Sequence, residues 1–325
     1  MKKLLVSGVI LLFIGLSIPS TGTMVEQTTT GDVITVDDEG DGDYTSIKEA
    51  LNNANPGDTI EVYSGTYYEF DIDIETEEII LKGVPYELGN GNDTGKPLIH
   101  GQGNGKVITI WAQGFTITGF RIENGGGTIA CGIIGTRRGA NNCILSNNDI
   151  SHAITGCVGI ISNNNSIINN NISHSTMRQG IALGEQCRNN TISGNVISDC
   201  DTGILAWDSN HNTITGNKIM RCRDFGIDIT GSFNKIIGNH IESNDIGVQI
   251  WNFFNQIKRN NFIDNNNPAQ FIYGLPLLQR LTNIWFGNYW DRPRLLPYPI
   301  PGALILIPII QFDWRPALLP YDIEV

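Results

Sequence analysis

Two sets of side chains recur along this sequence at a spacing that would bring them together in space. His152, His174, Asp199, Arg221, Ser243 and Asp264 follow one another at intervals of 21 to 25 residues. If each interval is one winding of the backbone, His174, Asp199 and Arg221 put a titratable base, a carboxylate and a cation within reach of one another. Cleavage of a uronic-acid polysaccharide by elimination needs a base at C5 and a cation to steady the uronate carboxylate. Hydrolysis needs two carboxyl groups a set distance apart, a role open to Asp199 with Asp201 or Asp224. The plainer alternative is a solvated turn column containing a salt bridge. Trp207 and Trp251 form the second set, two windings apart, with Thr230 between them and Asp208 and Asp228 beside them. An indole face suits the apolar C–H face of a sugar ring, and the flanking polar groups suit its rim. The competing expectation is that the apolar segment after Gly274 packs over both indoles.

Metal-ligating patterns are sparse. His152 and His174 are neighbours in this scheme, yet no Met-rich or Cys-x-x-Cys motif joins them to make a copper site. The acidic run 37–43 matches a calcium-binding loop only in part, since the twelfth position from Asp37 is Lys48 rather than Glu. It reads as a solvated turn. No metal site and no cofactor are expected.

The elements that must position these residues follow from the repeat itself. Asn-x-Ile-like triplets begin at Asn148, Asn170, Asn195, Asn217, Asn239 and Asn260, and a second Asn series at 142, 165, 190, 212, 234 and 255 precedes them. Both advance by about 22 residues, whereas Gly-Ile or Gly-Val pairs at Gly132, Gly159, Gly180, Gly203, Gly226 and Gly247 are less regular. Short runs such as Gly226–Thr230 alternate with period two, which means strands with one face inward. No run within a repeat has helical periodicity long enough for a crossover helix. Stacked coils of two or three short strands satisfy both facts, with Ile and Val filling a continuous core and Asn bonding up and down the stack. The fold class is therefore all-β, a right-handed parallel β-helix. Ser46-x-x-Glu49 is a capping box, and Ile47, Ala50, Leu51 and Ala54 make one short amphipathic helix ended by Pro56–Gly57, placed to close the N-terminal coil. The organisation expected is a signal over 1–23, cap and first coils over 24–110, regular repeats over 111–271, and an irregular Pro-rich capping tail over 272–325.

Composition narrows the setting. The 325 residues carry a net charge of −12 with only 17% charged side chains, and no basic stripe exists to meet nucleic acid. Lys2 and Lys3 precede an apolar stretch over 4–18 and then small residues, the order of a secretory signal and too short for a spanning helix. An exported, monomeric chain without a membrane span after signal removal is expected, in the extracellular, cell-surface or periplasm-like space. Export makes disulfides possible among the six cysteines. Cys200 and Cys222 stack on adjacent coils, as a bridge or as two thiols.

Residues 34–67, with Pro56–Gly57–Asp58 and Gly65–Thr66–Tyr67, resemble the opening segment of pectin-lyase-like β-helix proteins. The repeats are similar to those of the NosD-type group, also described as carbohydrate-binding and sugar-hydrolase repeats. Residues 283–291 (NIWFGNYWD) resemble a motif that closes such helices, notably in archaeal-type surface and secreted proteins. The resemblance implies a polysaccharide or surface glycan as partner, bound or cut by lyase or hydrolase chemistry. It equally admits a non-catalytic structural or adhesive protein, or an accessory factor for copper-site assembly. The sequence shows neither a pectate-lyase-type run of calcium-binding Asp residues nor an Asp-Pro-His epimerase motif.

Overall fold

The computed structural model describes residues 31–125, 134–136, 139–154, 156–175, 178–273, 282–304 and 307–323; the signal segment and Cys131 lie outside them. The chain winds as a right-handed parallel β-helix of three sheets, with 11, 10 and 11 strands among the described residues. One coil shows the plan: Thr213–Thr215 in the first sheet, Lys218–Met220 in the second and Phe225–Ile229 in the third. Each pairs in parallel with its equivalents one coil before and after.

Identical positions stack, so the core is a set of files. Ile172, Ile197, Ile219 and Ile241 pair in register and are fully buried. Ile167, Ile192, Ile214 and Ile236 form a second such file. Each burial contributes about 1.5–3 kcal/mol.

The corners need something other than apolar packing, because sharp turns leave backbone amides inside. Buried Asn side chains take them up. Asn195 donates its backbone N–H and its Nδ2 to Oδ1 of Asn217, at 3.0 and 2.9 Å. Asn217 does the same to Asn239 at 3.0 and 2.9 Å, while its Nδ2 also reaches Ile192 O at 2.9 Å. The ladder runs on through Asn260 to Asn288. A parallel ladder joins Asn165, Asn190, Asn212, Asn234 and Asn255 to Asn283. The exposed corner residues adopt positive φ, a conformation Asn tolerates better than most residues, as at Asn147, Asn169 and Asn189 with φ of 54 to 56°.

Both ends are closed. The helix Ile47–Asn53 packs on the first coils through Ile47, Ala50 and Leu51. Ser46 caps Glu49 N, and the distant Glu69 carboxylate accepts from Ile47 N at 2.8 Å and Lys48 N at 3.0 Å. The C-terminal tail is less irregular than expected. Tyr298–Leu304 continues the third sheet in parallel and Ile307–Asp313 returns antiparallel, prolines included, because this hairpin is a sheet edge where few ladder donors are needed. The acidic run also departs from its expectation, since Asp37 is fully buried rather than solvated. Cys200 and Cys222 are buried thiols with no disulfide between them.

Removing one amide from a ladder leaves several buried partners unpaired, each costing about 1–3 kcal/mol. Asn217→Ala is expected to lower the unfolding free energy by roughly 3 kcal/mol in a denaturant titration. Asn52→Ala, on the exposed face of the helix, should change it by less than about 0.5 kcal/mol. Equal effects would contradict the ladder's role.

Candidate functional site

Strands of the third sheet end in a turn whose first residue is held by the preceding coil. Trp207 N bonds Leu183 O at 2.9 Å, Thr230 N bonds Ala206 O at 2.9 Å and Trp251 N bonds Ile229 O at 2.8 Å, so the three are equivalent. Trp111 holds the same position through Ile74 O at 2.8 Å, and Ile161 and Gly184 hold it in the coils between. Large apolar groups thus stand on alternate coils, about 10 Å apart: Trp111, Ile161, Trp207 and Trp251, exposed by 39, 43, 53 and 41%. Gly184 and Thr230 sit between them, and residue 137 lies outside the described set. At Gly184 a Cβ would strike the Ile161 side chain, so the small residue is a steric requirement. Counting two residues on from Gly132 and Gly159 would align Ile134 and Ile161 with Ala182. Gly159 in fact pairs with Ala182 rather than Gly180, which moves Ile161 into the tryptophan column and gives Ile134 the register of Ile108 and Val158.

Two of the indoles are oriented by carboxylates one coil earlier. Trp251 Nε1 donates to Asp228 at 2.8 Å and Trp111 Nε1 to Asp73 at 3.0 Å. At the equivalent place beneath Trp207 stands Ala182, and among the described residues the Trp207 indole N–H has no partner. Asp228 lies between Leu205 and Gln249 in its column. Burial pushes its carboxyl up to about 6, partly offset by the Trp251 bond. Asp208 is exposed, its N–H bonded to Thr230 Oγ1 at 2.6 Å. The far side of the same turn carries residues the sequence reading passed over. His211, Phe233 and Phe254 stack with centroids 5.0 Å apart and planes within 12°, and Phe233 and Phe254 are exposed. Each immediately precedes a ladder Asn, which was the available signal. The described part of the C-terminal tail touches this corner at its last coil, where Thr282 O accepts from Phe254 N at 3.3 Å, and leaves both Trp207 and Trp251 exposed; Tyr321 bonds Asn261 and Gly287 at another corner. Residues 274–281 lie outside the described set.

His174, Asp199 and Arg221 occupy the opposite corner, before the strands of the third sheet, all at positive φ. Arg221 grips both oxygens of Asp199, at 2.9 and 2.7 Å, and holds that carboxyl below its usual range. His174 instead stacks on His152, with centroids 5.0 Å apart and planes 6° apart, and its Nδ1 meets Ser173 Oγ at 2.9 Å. Five-residue strands separate this corner from Trp207 and Trp251, so the two sets lie roughly 15 Å or more apart and do not form one site. Asp201 is paired with Arg223.

Residues 51–295 match the family described as Periplasmic copper-binding protein (NosD). No curated protein matches the chain significantly. Among solved structures, pectate lyase Pel9A superimposes with a TM-score of 0.52 at 14% identity, over 80% of this chain and 80% of its own. A PL6 alginate lyase in complex with a trisaccharide gives 0.55 at 14%, over 81% of this chain and 61% of its own. XylC with xylose gives 0.53 at 12%, over 87% and 73%. These likenesses are of fold.

The Asp228 carboxyl supplies a test of the site's electrostatics. It titrates near 3.8 when unfolded and near 6 when folded. Between those values the native state keeps a proton that the unfolded chain has released, so this group's contribution to stability falls as pH rises from about 4 to 6 and then levels off. Asp228→Asn is therefore expected to match the parent below about pH 4 and to exceed it at pH 7 by about 2 kcal/mol. Parallel stability profiles for the two proteins would contradict the burial argument.

Proposed function

This chain belongs to the NosD family, and from that premise we propose that it is an exported carbohydrate-binding β-helix acting at or outside the cell surface. The observation that carries the reading is the column of exposed apolar side chains on alternate coils, in which Trp207 and Trp251 are a pair of indoles two coils apart. Sugar rings stack on such faces, and about 10 Å between indoles leaves room for a second ring over the small residue between them. Trp207 offers an N–H without a partner among the described residues, Asp208 an exposed carboxylate, and Asp228 a carboxyl able to donate or accept near its pKa of about 6. An extended polysaccharide laid along the helix axis meets these groups in sequence. Polysaccharide-acting β-helices among the structural neighbours support the same class of partner.

Binding is favoured over cleavage at the opposite corner, because Arg221 and Asp199 are engaged with each other and His174 stacks on His152 instead of joining them. The family description supports an extracytoplasmic setting, consistent with a signal over residues 1–23, a cap over 24–110, repeats over 111–271 and a closing tail over 272–325. Among the described residues no helix is long and apolar enough to cross a membrane. We read the working form as a monomer.

The family name also raises copper, and the donors among the described residues do not fit it. Copper sites gather His, Cys or Met. Here Cys143, Cys187, Cys200 and Cys222 are buried in the core, and burial pushes Cys187 and Cys200 up to about 11. His152 and His174 lie face to face with each Nδ1 on a serine hydroxyl, so their lone pairs run parallel rather than converging.

Trp207→Ala and Trp251→Ala should each weaken retention in affinity electrophoresis against a panel of neutral and acidic polysaccharides at least tenfold. Trp314→Ala, on the exposed tail, should leave it unchanged. Retention that survives the double substitution, or none by the parent on any polysaccharide, sinks the glycan reading.

A further inference from the structure

The N-terminal end of the solenoid gathers carboxyl groups from two segments. Asp37, Asp38, Glu39 and Asp41 follow the strand Val33–Val36. Glu87 and Asp93 come from the loop 84–95, which is closed by pairing of Tyr86 with Thr94 and by a bond from Gly95 N to Pro85 O at 3.1 Å. Oxygens of Asp37, Asp38 and Glu39 lie within 4.8 Å of one another, as do those of Glu39, Glu87 and Asp93, so Glu39 joins two triplets. Oxygens bound to one calcium ion at about 2.3–2.6 Å span about the same distance. Among the described residues none of these acids takes part in an ion pair.

Crowding alone would make a repulsive patch, but two further features point to a ligand. Asp37 is wholly buried; its Oδ2 accepts from Gly40 N at 3.1 Å and Asp41 N at 3.0 Å, while its Oδ1 has no hydrogen-bond partner among the described residues. The Glu87 carboxyl lies against it. Asp38 repeats the arrangement, with Oδ2 on Thr66 N at 2.9 Å and a buried, unpartnered Oδ1. A buried carboxylate oxygen without a donor is costly unless a cation takes it. The backbone is also cut away around the acids. A Cβ at Gly65 would collide with the Asp38 carboxyl, one at Gly89 with that of Asp41 and one at Gly91 with that of Glu87.

We propose that Asp37, Asp38, Glu39, Glu87 and Asp93 form a calcium site that ties the loop 84–95 to the first coil. The all-oxygen donor set from several carboxylates suits calcium, which accepts six to eight oxygens in irregular geometry, better than magnesium, which keeps a strict octahedron and its waters. The mutual repulsion that a cation would relieve follows from the spacing, since the Glu39 carboxylate stands within 4.8 Å of those of Asp37 and Asp38 on one side and of Glu87 and Asp93 on the other. The run 37–43 fails as a continuous calcium loop at Lys48, and the further donors Glu87 and Asp93 come about 50 residues later in the chain.

The test is calorimetric titration of chelator-treated full chain with CaCl2, alongside thermal melts in CaCl2, MgCl2 or EDTA. Saturable calcium binding and a melting temperature raised by several degrees are expected, with a smaller response to MgCl2. Glu39→Gln, at an exposed position that preserves folding, and Glu39→Gln with Glu87→Gln should weaken binding at least tenfold. In EDTA the double variant should melt above the parent, since repulsion is relieved. Asp264→Asn, at a distant corner, should bind as the parent does. Absence of calcium binding by the parent, an equal response to MgCl2, or undiminished binding by Glu39→Gln would overturn the proposal.

Discussion

A buried amide that only the next coil can satisfy governs this molecule. Each Asn of the corner ladders offers two donors and an acceptor inside the protein, and none of them finds water. Its partners are the backbone and the Asn one winding away, so an unpaired layer is expensive and a slipped layer leaves several orphaned groups at once. The isoleucine files are less demanding, because apolar contact tolerates small shifts of register. The ladders therefore fix how coils stack, and the files supply the bulk of the burial. Every exposed column inherits its spacing from that register.

The exposed indoles illustrate the inheritance. Trp207 and Trp251 belong to separate coils and never touch, yet their position along the axis is set by the bonds that place Leu183, Ala206 and Ile229 below them. A flat row of aromatic groups at a constant interval is difficult to build from loops and follows directly from a stacked backbone. The carboxylates that orient Trp111 and Trp251 come from one coil earlier for the same reason. Function on such a scaffold is a matter of which side chain occupies a column at which level.

Much of this was legible in the residues. The Asn-x-Ile triplets gave the coil, and Ile172, Ile197, Ile219 and Ile241 fall in one buried file because their spacing is that of the winding. The Gly-Ile pairs were a poorer guide: Cys157 stands where Gly180 stands one coil later, so Gly159 is displaced by two positions. Trp111 was not placed in the indole column because it precedes the Gly-Ile series, which begins only at Gly132. The acidic cluster was illegible for a different reason. Its members come from a turn and a loop in different coils, and no local pattern announces that they meet.

Asp313 marks where the stacking ends. The last ladder residue, Asn288, gives its N–H and its Nδ2 to Asp313 Oδ2 at 2.9 and 3.0 Å, and Gly287 N and Trp290 Nε1 converge on the same carboxylate. An amide in that place would hold out a fresh donor toward another layer, and so extend an invitation to any neighbouring molecule. A carboxylate only receives. The tiling is thereby given a terminus in its chemistry as well as in its shape, and a protein whose interior logic is that of a fibre remains finite.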